Sequence, residues 1–201
     1  MSDEVYELLI FDKEKSFYPL SFFPSISKQI ITVNGFSKSY GLTSWRIAYI
    51  YSHNQGYINQ LTDLQKLITY GLPVATQRIA WTAIQKERLY AMIWQQMGKP
   101  RRQQLFDFFD KNIHAEVFLP EGAYFLFPNL KKLCDIAGFT HSAELPLFLA
   151  ENYNLNIADG ATFGMPFHYR INFMQTQGII QEAINRFEKA FEELVRKGGA
   201  T

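Results

Sequence analysis

An α/β fold is predicted by three features of the sequence. Two short apolar runs, residues 29–33 and 45–51, have the length and composition of buried strands and flank a loop rich in polar groups. From Gly56 onwards, apolar residues recur every three or four positions, as they do on one face of a helix. Beyond about residue 113, short apolar runs alternate with helical patterns, which indicates a smaller α+β domain.

The first elements surround the polar loop. Residues 5–11 are expected to end a strand and enter a loop, and the aromatic segment 17–23, which stops at Pro24, to form a loop or a short helix. The strands 29–33 and 45–51 then enclose the polar loop. In an α/β sheet such a loop lies at the strand ends, where ligands bind.

The middle of the chain is predicted to be helical. The helical pattern breaks at Gly71-Leu72-Pro73 and resumes in two apolar stripes, which contain Ile79, Ala80, Ala83 and Ile84, and then Tyr90, Ile93, Trp94 and Met97. Gly98-Lys99-Pro100 is expected to interrupt the helix and bend it, because a proline inside a helix removes one backbone hydrogen bond.

The last part of the chain is predicted to alternate between strands and helices. The expected strands are 117–119, 124–127, 155–158 and 169–174, with a helix at 143–152. A closing helix has one apolar face and stops at Gly198-Gly199; its face contains Ile180, Ala183, Ile184, Phe187, Phe191 and Leu194.

Composition excludes several classes of protein. Hydrophobic residues make up 47% of the 201 residues and charged residues 19%, so the chain can build a core and is not disordered. The net charge of +1 favours neither nucleic acid nor an anionic membrane as a partner. No apolar run reaches the roughly 18 residues that suggest a membrane span. The single cysteine, Cys134, cannot form an internal disulfide, which fits a cytoplasmic protein.

Lys38 lies in the most informative stretch, residues 34–46, which reads Asn-Gly-Phe-Ser-Lys-Ser-Tyr-Gly-Leu-Thr-Ser-Trp-Arg. A lysine between hydroxyls, with Arg46 eight residues on, suits a cofactor that has both an aldehyde and a phosphate. The amine can form a Schiff base with the aldehyde, and the guanidinium can bind the phosphate through two bonds.

This stretch resembles the cofactor-lysine motif of the class I/II aminotransferases, the pyridoxal 5'-phosphate enzymes of fold type I. The resemblance implies that Lys38 is the catalytic, aldimine-forming lysine and that Ser37 and Arg46 hold the cofactor phosphate. It also implies that Asp3 bonds the pyridine nitrogen and Tyr6 the ring hydroxyl.

Two further segments carry the same resemblance. Residues 169–173, Tyr-Arg-Ile-Asn-Phe, are similar to the family strand whose arginine binds the substrate α-carboxylate, which implies that role for Arg170. Residues 121–128 are similar to a hairpin of the family's small domain. The resemblance covers about residues 1–195 and implies a cytoplasmic homodimer that acts on an amino acid and a 2-oxo acid.

Only half of such an enzyme is expected here. Family members are roughly twice as long, and the sequence contains no Asn-Pro-rich loop matching theirs. We therefore interpret the chain as the C-terminal half: residues 1–85 complete the large, cofactor-binding domain, 86–112 form an interdomain helix, and 113–201 form the small domain. The missing N-terminal half is then a possible partner.

Some positions depart from the family pattern. Gly35 lies where many relatives have a phosphate-binding serine, Ser44 replaces the usual glycine before Trp-Arg, and Ala48 replaces a common glycine. Asp159-Gly160 stands where Pro-Gly is frequent. None of these changes removes a chemical group that the reaction needs.

Other candidate sites are weaker. The Lys38 loop is not a nucleotide phosphate loop, since Ser37 and Val33 occupy the positions that require glycine. No zinc or other metal site is predicted, because the four histidines have no ligand spacing. Cys134 is expected to pack in the interior, because nothing near it in the sequence would activate a thiolate.

Three functions remain open from the sequence. The first is the C-terminal part of an aminotransferase that moves an amino group from an amino acid to a 2-oxo acid through the Lys38 aldimine. The second is a β-eliminating carbon–sulfur lyase on the same scaffold, which needs the same lysine, aspartate and arginine. The third is a non-catalytic fragment that requires its missing half.

Overall fold

The computed structural model describes residues 1–12 and 14–199. These residues cluster into two compact units, Met1–Gln95 and Gln96–Thr201. Within the described ranges, no helix is both long enough and apolar enough to cross a bilayer. The strands and helices, in chain order, are β1 (Ser2–Asp3), β2 (Thr32–Gly35), β3 (Ala48–Tyr51), α1 (Gln55–Thr69), α2 (Val74–Ile84), α3 (Glu87–Asp110), β4 (Phe125–Leu126), α4 (Lys131–Ile136), α5 (Glu144–Tyr153), β5 (Ala158–Asp159), β6 (Tyr169–Asn172) and α6 (Gln177–Gly198).

The first unit contains a three-stranded sheet in the order β1-β2-β3. Strand β2 is parallel to β1 and antiparallel to β3, with Thr32 opposite Tyr51 and Gly35 opposite Ala48. The two predicted strands are present but shifted and shorter. Trp45 lies in a 3-10 turn rather than in β3, because the backbone bond from Phe36 N–H to the Ile47 carbonyl starts the hairpin only after that turn.

The aromatic core of the first unit is built largely from the Lys38 loop. Phe36 and Tyr40 are buried with Ile47, and they pack with Ala80 and Ala83 of α2. The Phe36 and Tyr40 ring centroids are 5.0 Å apart, in the range of favourable aromatic pairs. The residues that flank Lys38 are therefore fixed by packing, which holds the loop in place.

The predicted helix break at residues 71–73 is confirmed. Helix α1 begins after Asn54, whose side chain caps it by accepting the Gly56 N–H at 2.9 Å, and it ends at Thr69. Helix α2 begins at Val74, directly after Pro73. Proline is well tolerated there, since the first turn of a helix leaves its N–H groups without intrahelical partners.

The predicted interruption at Gly98-Lys99-Pro100 is wrong. Helix α3 runs from Glu87 to Asp110 with Pro100 inside it. In the helical turns that follow Pro100, the side chains of Leu105 and Phe109 are buried in the core. Packing of an apolar face supplies most of a helix's stability in a folded protein, and here it outweighs the backbone bond lost at the proline.

The second unit contains a sheet in the order β4-β6-β5, with both pairings antiparallel. Strand β6 alternates across the sheet: Tyr169 and Ile171 are buried, whereas Arg170 and Asn172 lie on the other face. The buried Leu126 of β4 is directly opposite Ile171. One face of this sheet is therefore core, and the other carries Arg170.

The sequence placed most elements of this unit correctly. The helices predicted at 143–152 and towards the C-terminus are confirmed as α5 and α6. The predicted strand 117–119 is wrong, because these residues pair with no strand in the described ranges and only Glu116 forms a bridge, with Asn129. Phe118 is 91% exposed. An apolar run without a partner does not become a strand.

The core between α3 and α6 consists of phenylalanines. The Phe109 ring lies 5.4 Å from that of Phe187 and 6.2 Å from that of Phe191, both nearly edge-on. Phe109 is completely buried, and Phe187 and Phe191 are almost so. These rings join the two helices in the second unit.

We expect Phe109→Ala to lower the free energy of unfolding by about 3–5 kcal/mol, the cost of removing a buried aromatic ring and leaving a cavity. The matched change Phe118→Ala should alter it by less than about 0.5 kcal/mol, because that ring is exposed. Denaturant unfolding of the two variants measures both effects. Equal losses would contradict the packing described for Phe109.

Candidate active site

The residues predicted to bind the cofactor lie at one end of the first unit's sheet. Asp3 is the last residue of β1, and Lys38 follows the end of β2 by three residues. Because β1 and β2 are parallel, their carboxyl ends lie at the same edge. Strand β3 is antiparallel and starts at that edge, and Arg46 precedes it by two residues.

Ser39 joins the Lys38 loop to the loop that carries Tyr6. Its side chain is completely buried, and its hydroxyl donates to the Val5 carbonyl at 2.9 Å and accepts from the Leu8 N–H at 3.5 Å. Its carbonyl accepts the indole N–H of Trp94. The sequence by itself indicates no separate role for Ser39. The hydroxyl next to the lysine was the available signal, but its partners are 31 and 34 residues away in the chain.

Ser37 and Arg46 are connected through Thr43. The Thr43 hydroxyl donates to the Ser37 carbonyl at 2.9 Å, and Arg46 Nη1 donates to the Thr43 carbonyl at 3.1 Å. Arg46 has the left-handed backbone angles φ 50° and ψ 48°. A non-glycine residue in this region is uncommon and costs about 1–2 kcal/mol. The loop thus closes on itself and holds the exposed guanidinium at its end.

Asp3 and Tyr6 belong to a turn that follows β1. The Asp3 carboxylate is exposed and accepts the Val5 N–H at 3.3 Å. Tyr6 is half-buried, and its carbonyl accepts the Leu9 N–H at 2.9 Å. Since Ser39 binds Val5, this turn and the Lys38 loop are in direct contact. Lys38 itself is half-buried.

A half-buried carboxylate, Glu7, lies near this site and was not predicted from the sequence. Burial raises the pKa of Glu7, a hydrogen bond with the Asn34 side chain lowers it, and the charges of Glu87 and Glu4 raise it. Partial burial of the Tyr49 phenol, together with the charges of Glu7, Glu4 and Glu87, raises the pKa of Tyr49 to about 12. The available signal was an acidic residue directly before the apolar run 8–11.

Arg170 lies in the second unit, on the face of the sheet opposite the core. Its guanidinium carbon is 4.6 Å from the centroid of the Phe125 ring and 4.5 Å from that of the Phe163 ring. The structure therefore brings five predicted residues to one end of a sheet in the first unit, and it holds the sixth, Arg170, between aromatic side chains of the second.

Comparison with known proteins identifies the family. The model of the family described as aminotransferase class I and II matches residues 1–187. This chain belongs to the class I and II aminotransferases. An asparagine–oxo-acid transaminase of Streptococcus mutans is 29% identical to it over 194 residues, which cover 96% of this chain and 49% of that protein. An aspartate aminotransferase of Bacillus sp. strain YM-2 is 28% identical over 189 residues, which cover 94% of this chain and 48% of that protein.

Solved structures of this family have the same fold. The aromatic aminotransferase of Pyrococcus horikoshii superposes with a TM-score of 0.82 at 23% identity, over 98% of this chain and 51% of that one. The aspartate aminotransferase of Rhizobium meliloti superposes with a TM-score of 0.84 at 21% identity, over 94% of this chain and 48% of that one. The α/β fold predicted for part of a fold type I enzyme is thereby confirmed. The chain spans about half the length of the relatives that it matches.

We expect Ser39→Ala to lower the free energy of unfolding by about 1–3 kcal/mol, because it removes a buried hydroxyl and leaves the Val5 carbonyl and Leu8 N–H without their partner. Thermal unfolding measures the change. The matched control is Ser44→Ala, because Ser44 is an exposed serine of the same loop. Its unfolding midpoint should stay close to that of the parent protein. Equal midpoints for the two variants would show that Ser39 does not hold the two loops together.

We expect Glu7→Gln to raise the free energy of unfolding near neutral pH. The folded state raises the pKa of Glu7 above its ordinary value of 4.5, so ionised Glu7 destabilises the fold once the pH exceeds its folded pKa. Glutamine keeps an oxygen for Asn34 but has no charge. The gain should therefore be full above the folded pKa and vanish as the pH falls below 4.5.

Denaturant unfolding across this pH range provides the test. Glu14→Gln, at an exposed position, is the matched control. A Glu7→Gln gain that persisted unchanged in acid would contradict the role of ionisation.

Proposed function

We propose that this chain supplies the C-terminal half of a pyridoxal 5'-phosphate-dependent aminotransferase, in which Lys38 bonds to the cofactor aldehyde. One observation carries the proposal: in a chain that matches the family over residues 1–187, the loop of Lys38 is tied through Ser39 to the turn that follows Asp3. Relatives named aspartate aminotransferase and asparagine–oxo-acid transaminase support the same type of reaction.

The donor set fits the proposed cofactor. Its phosphate is a dianion that a hydroxyl and a guanidinium can bind, and Ser37 and Arg46 are linked through Thr43 at the end of one loop. Its aldehyde requires an amine, which is Lys38. Its ring nitrogen and ring hydroxyl require a carboxylate and a phenol, which Asp3 and Tyr6 supply from the adjoining turn. When bound, the cofactor supplies an electron-accepting ring.

Each side chain then has a defined task. The Asp3 carboxylate accepts the ring N–H and keeps that nitrogen protonated. The Lys38 amine would take the proton from the substrate Cα as general base and, as general acid, would deliver it to the carbon of the cofactor aldehyde. Arg170 binds the α-carboxylate that the amino acid and the 2-oxo acid share, since a planar guanidinium matches a carboxylate through two parallel bonds.

The exposed surface of the first unit supports a requirement for a partner. All four residues of β3 are exposed, and β3 is an edge of the described sheet. In the same unit, Leu67 of α1 is 81% exposed, and Tyr70, which directly follows α1, is 94% exposed. An unpaired strand edge beside apolar side chains favours association with another polypeptide. We propose that this partner is the N-terminal half of the same fold and that the complete enzyme is a homodimer.

The surface continues into a cleft between β3 and α1. The cleft has a volume of ≈ 700 Å³. Its wall includes Val33 and Ile50, which are cross-strand neighbours, and Ile58 and Leu61 of α1. Arg46 also lines this cleft, so the cleft adjoins the proposed phosphate site, and its apolar part favours a protein segment as the occupant.

We expect pyridoxal phosphate, fixed to the purified chain by borohydride reduction, to be found on Lys38 by peptide mapping. Lys38→Ala should abolish the labelling at that peptide, whereas Lys28→Ala, at an exposed lysine of the same unit, should leave it unchanged. Labelling spread evenly over exposed lysines would contradict the assignment of Lys38.

Turnover should require the other half of the fold. The 201-residue chain alone should not transaminate amino acids with 2-oxoglutarate, because unoriented reactants lose most of the rate advantage of an enzyme. With the N-terminal half of a relative co-expressed, Lys38→Ala should lower kcat by about 10²–10⁴-fold, the usual contribution of a general acid–base. Turnover by the monomeric chain that Lys38→Ala removes would overturn the requirement for a partner.

A further inference from the structure

The guanidinium of Arg170 is flanked by aromatic rings rather than by carboxylates. Its central carbon lies over the Phe125 ring at 4.6 Å and over the Phe163 ring at 4.5 Å, both well inside the range of a cation–π interaction. Among the residues that the structure describes, no ion pair and no side-chain hydrogen bond involves the Arg170 guanidinium. Arg186, in contrast, is paired with Glu182 at 2.8 Å.

Phe125 is brought to Arg170 by the register of the sheet. Phe125 of β4 is opposite Asn172 of β6, so it lies on the face that also carries Arg170. Leu126 and Ile171, the next pair, lie on the buried face. A shift of one residue in this register would move the ring to the other side of the sheet.

Phe163 is brought to the same place by a tight 3-10 turn, Gly160–Phe163. The turn approaches the backbone before β6 so closely that a Cβ at Gly160 would lie 2.5 Å from the His168 carbonyl oxygen and 2.3 Å from that of Met165. Gly160 N–H donates to the His168 carbonyl at 2.8 Å. The Asp159 carboxylate caps the turn by accepting the Ala161 N–H at 3.0 Å.

A carboxylate and an aromatic ring would affect the Arg170 guanidinium differently. A carboxylate beside Arg170 would occupy the in-plane N–H groups that a second carboxylate needs. An aromatic face attracts the cation through its quadrupole and leaves the edge of the guanidinium available. Fixing the plane of a long side chain before binding also removes part of the entropy cost of ordering it.

We infer that Phe163, together with Phe125, is a positioning residue that holds the Arg170 guanidinium so that its N–H edge is presented to a carboxylate ligand. This inference rests on the proposed role of Arg170 in binding the substrate α-carboxylate. It adds the reason why Arg170 is held without an acidic partner, and it makes the ring of Phe163 a determinant of carboxylate affinity.

The experiment uses the uniformly ¹⁵N-labelled 201-residue chain and follows the arginine Nε–Hε signals by NMR, with Arg170→Lys identifying the signal of Arg170. The ring currents should shift that signal in the free protein, and titration with 2-oxoglutarate should move it further. Phe163→Leu keeps apolar bulk but removes the aromatic face. It should abolish the ring-current shift and weaken 2-oxoglutarate binding by about three- to ten-fold. This is the loss expected when a long side chain must be ordered during binding rather than before it.

Two further variants separate positioning from a general structural role. Phe163→Trp restores an aromatic face and should return the affinity to within about two-fold of the parent. Phe148→Leu is the matched control, because the half-buried Phe148 ring packs against Phe139 at 6.1 Å and Tyr153 at 5.8 Å, and it should leave 2-oxoglutarate affinity unchanged. Thermal unfolding midpoints identify any variant that has lost its fold.

The outcomes are distinguishable. Affinity that is unchanged in Phe163→Leu, with Arg170 still responding to 2-oxoglutarate, would overturn the positioning role and leave the proposed function intact. A parent protein with the ring-current shift but no Arg170 response to 2-oxoglutarate would overturn both the carboxylate role of Arg170 and the inference built on it. Equal weakening in Phe163→Leu and Phe163→Trp would also overturn the inference.

Discussion

The first unit depends on the burial of three residues of the Lys38 loop: Phe36, Ser39 and Tyr40. Phe36 and Tyr40 fill the core beneath the loop, and Ser39 binds the turn after β1. A short loop that supplies its own core residues has little freedom to rearrange, since core packing resists changes of even one methylene. Burial of these neighbours thus fixes the backbone that carries Lys38 and Arg46.

Each unit positions an arginine guanidinium by a different kind of interaction. Arg46 is held by backbone geometry, with a left-handed residue at the end of a 3-10 turn and a hydrogen bond to Thr43. Arg170 is held by the faces of Phe125 and Phe163. Both arrangements leave carboxylates out of direct contact with the guanidinium in the described residues, which suits a group proposed to bind an anion.

The two units bury their apolar residues differently. The second unit has a phenylalanine core around Phe109 and a sheet with one buried face. In the first unit β3 is exposed along its length, and Leu67 of α1 is also exposed. The chain spans about half the length of its relatives, and the five residues proposed to hold the cofactor lie at one end of a three-stranded sheet with this exposed edge.

The sequence alone determined the approximate elements, because these depend on local periodicity, and it indicated the family and the candidate residues through the resemblance of the Lys38 motif and two other segments. It failed where distant packing decides. Helix α3 continues through Pro100 because Leu105 and Phe109 are buried beyond it. Only the tertiary structure related Ser39 to Val5 and Phe163 to Arg170, since the first contact joins residues 34 positions apart and the second depends on a 3-10 turn that precedes β6.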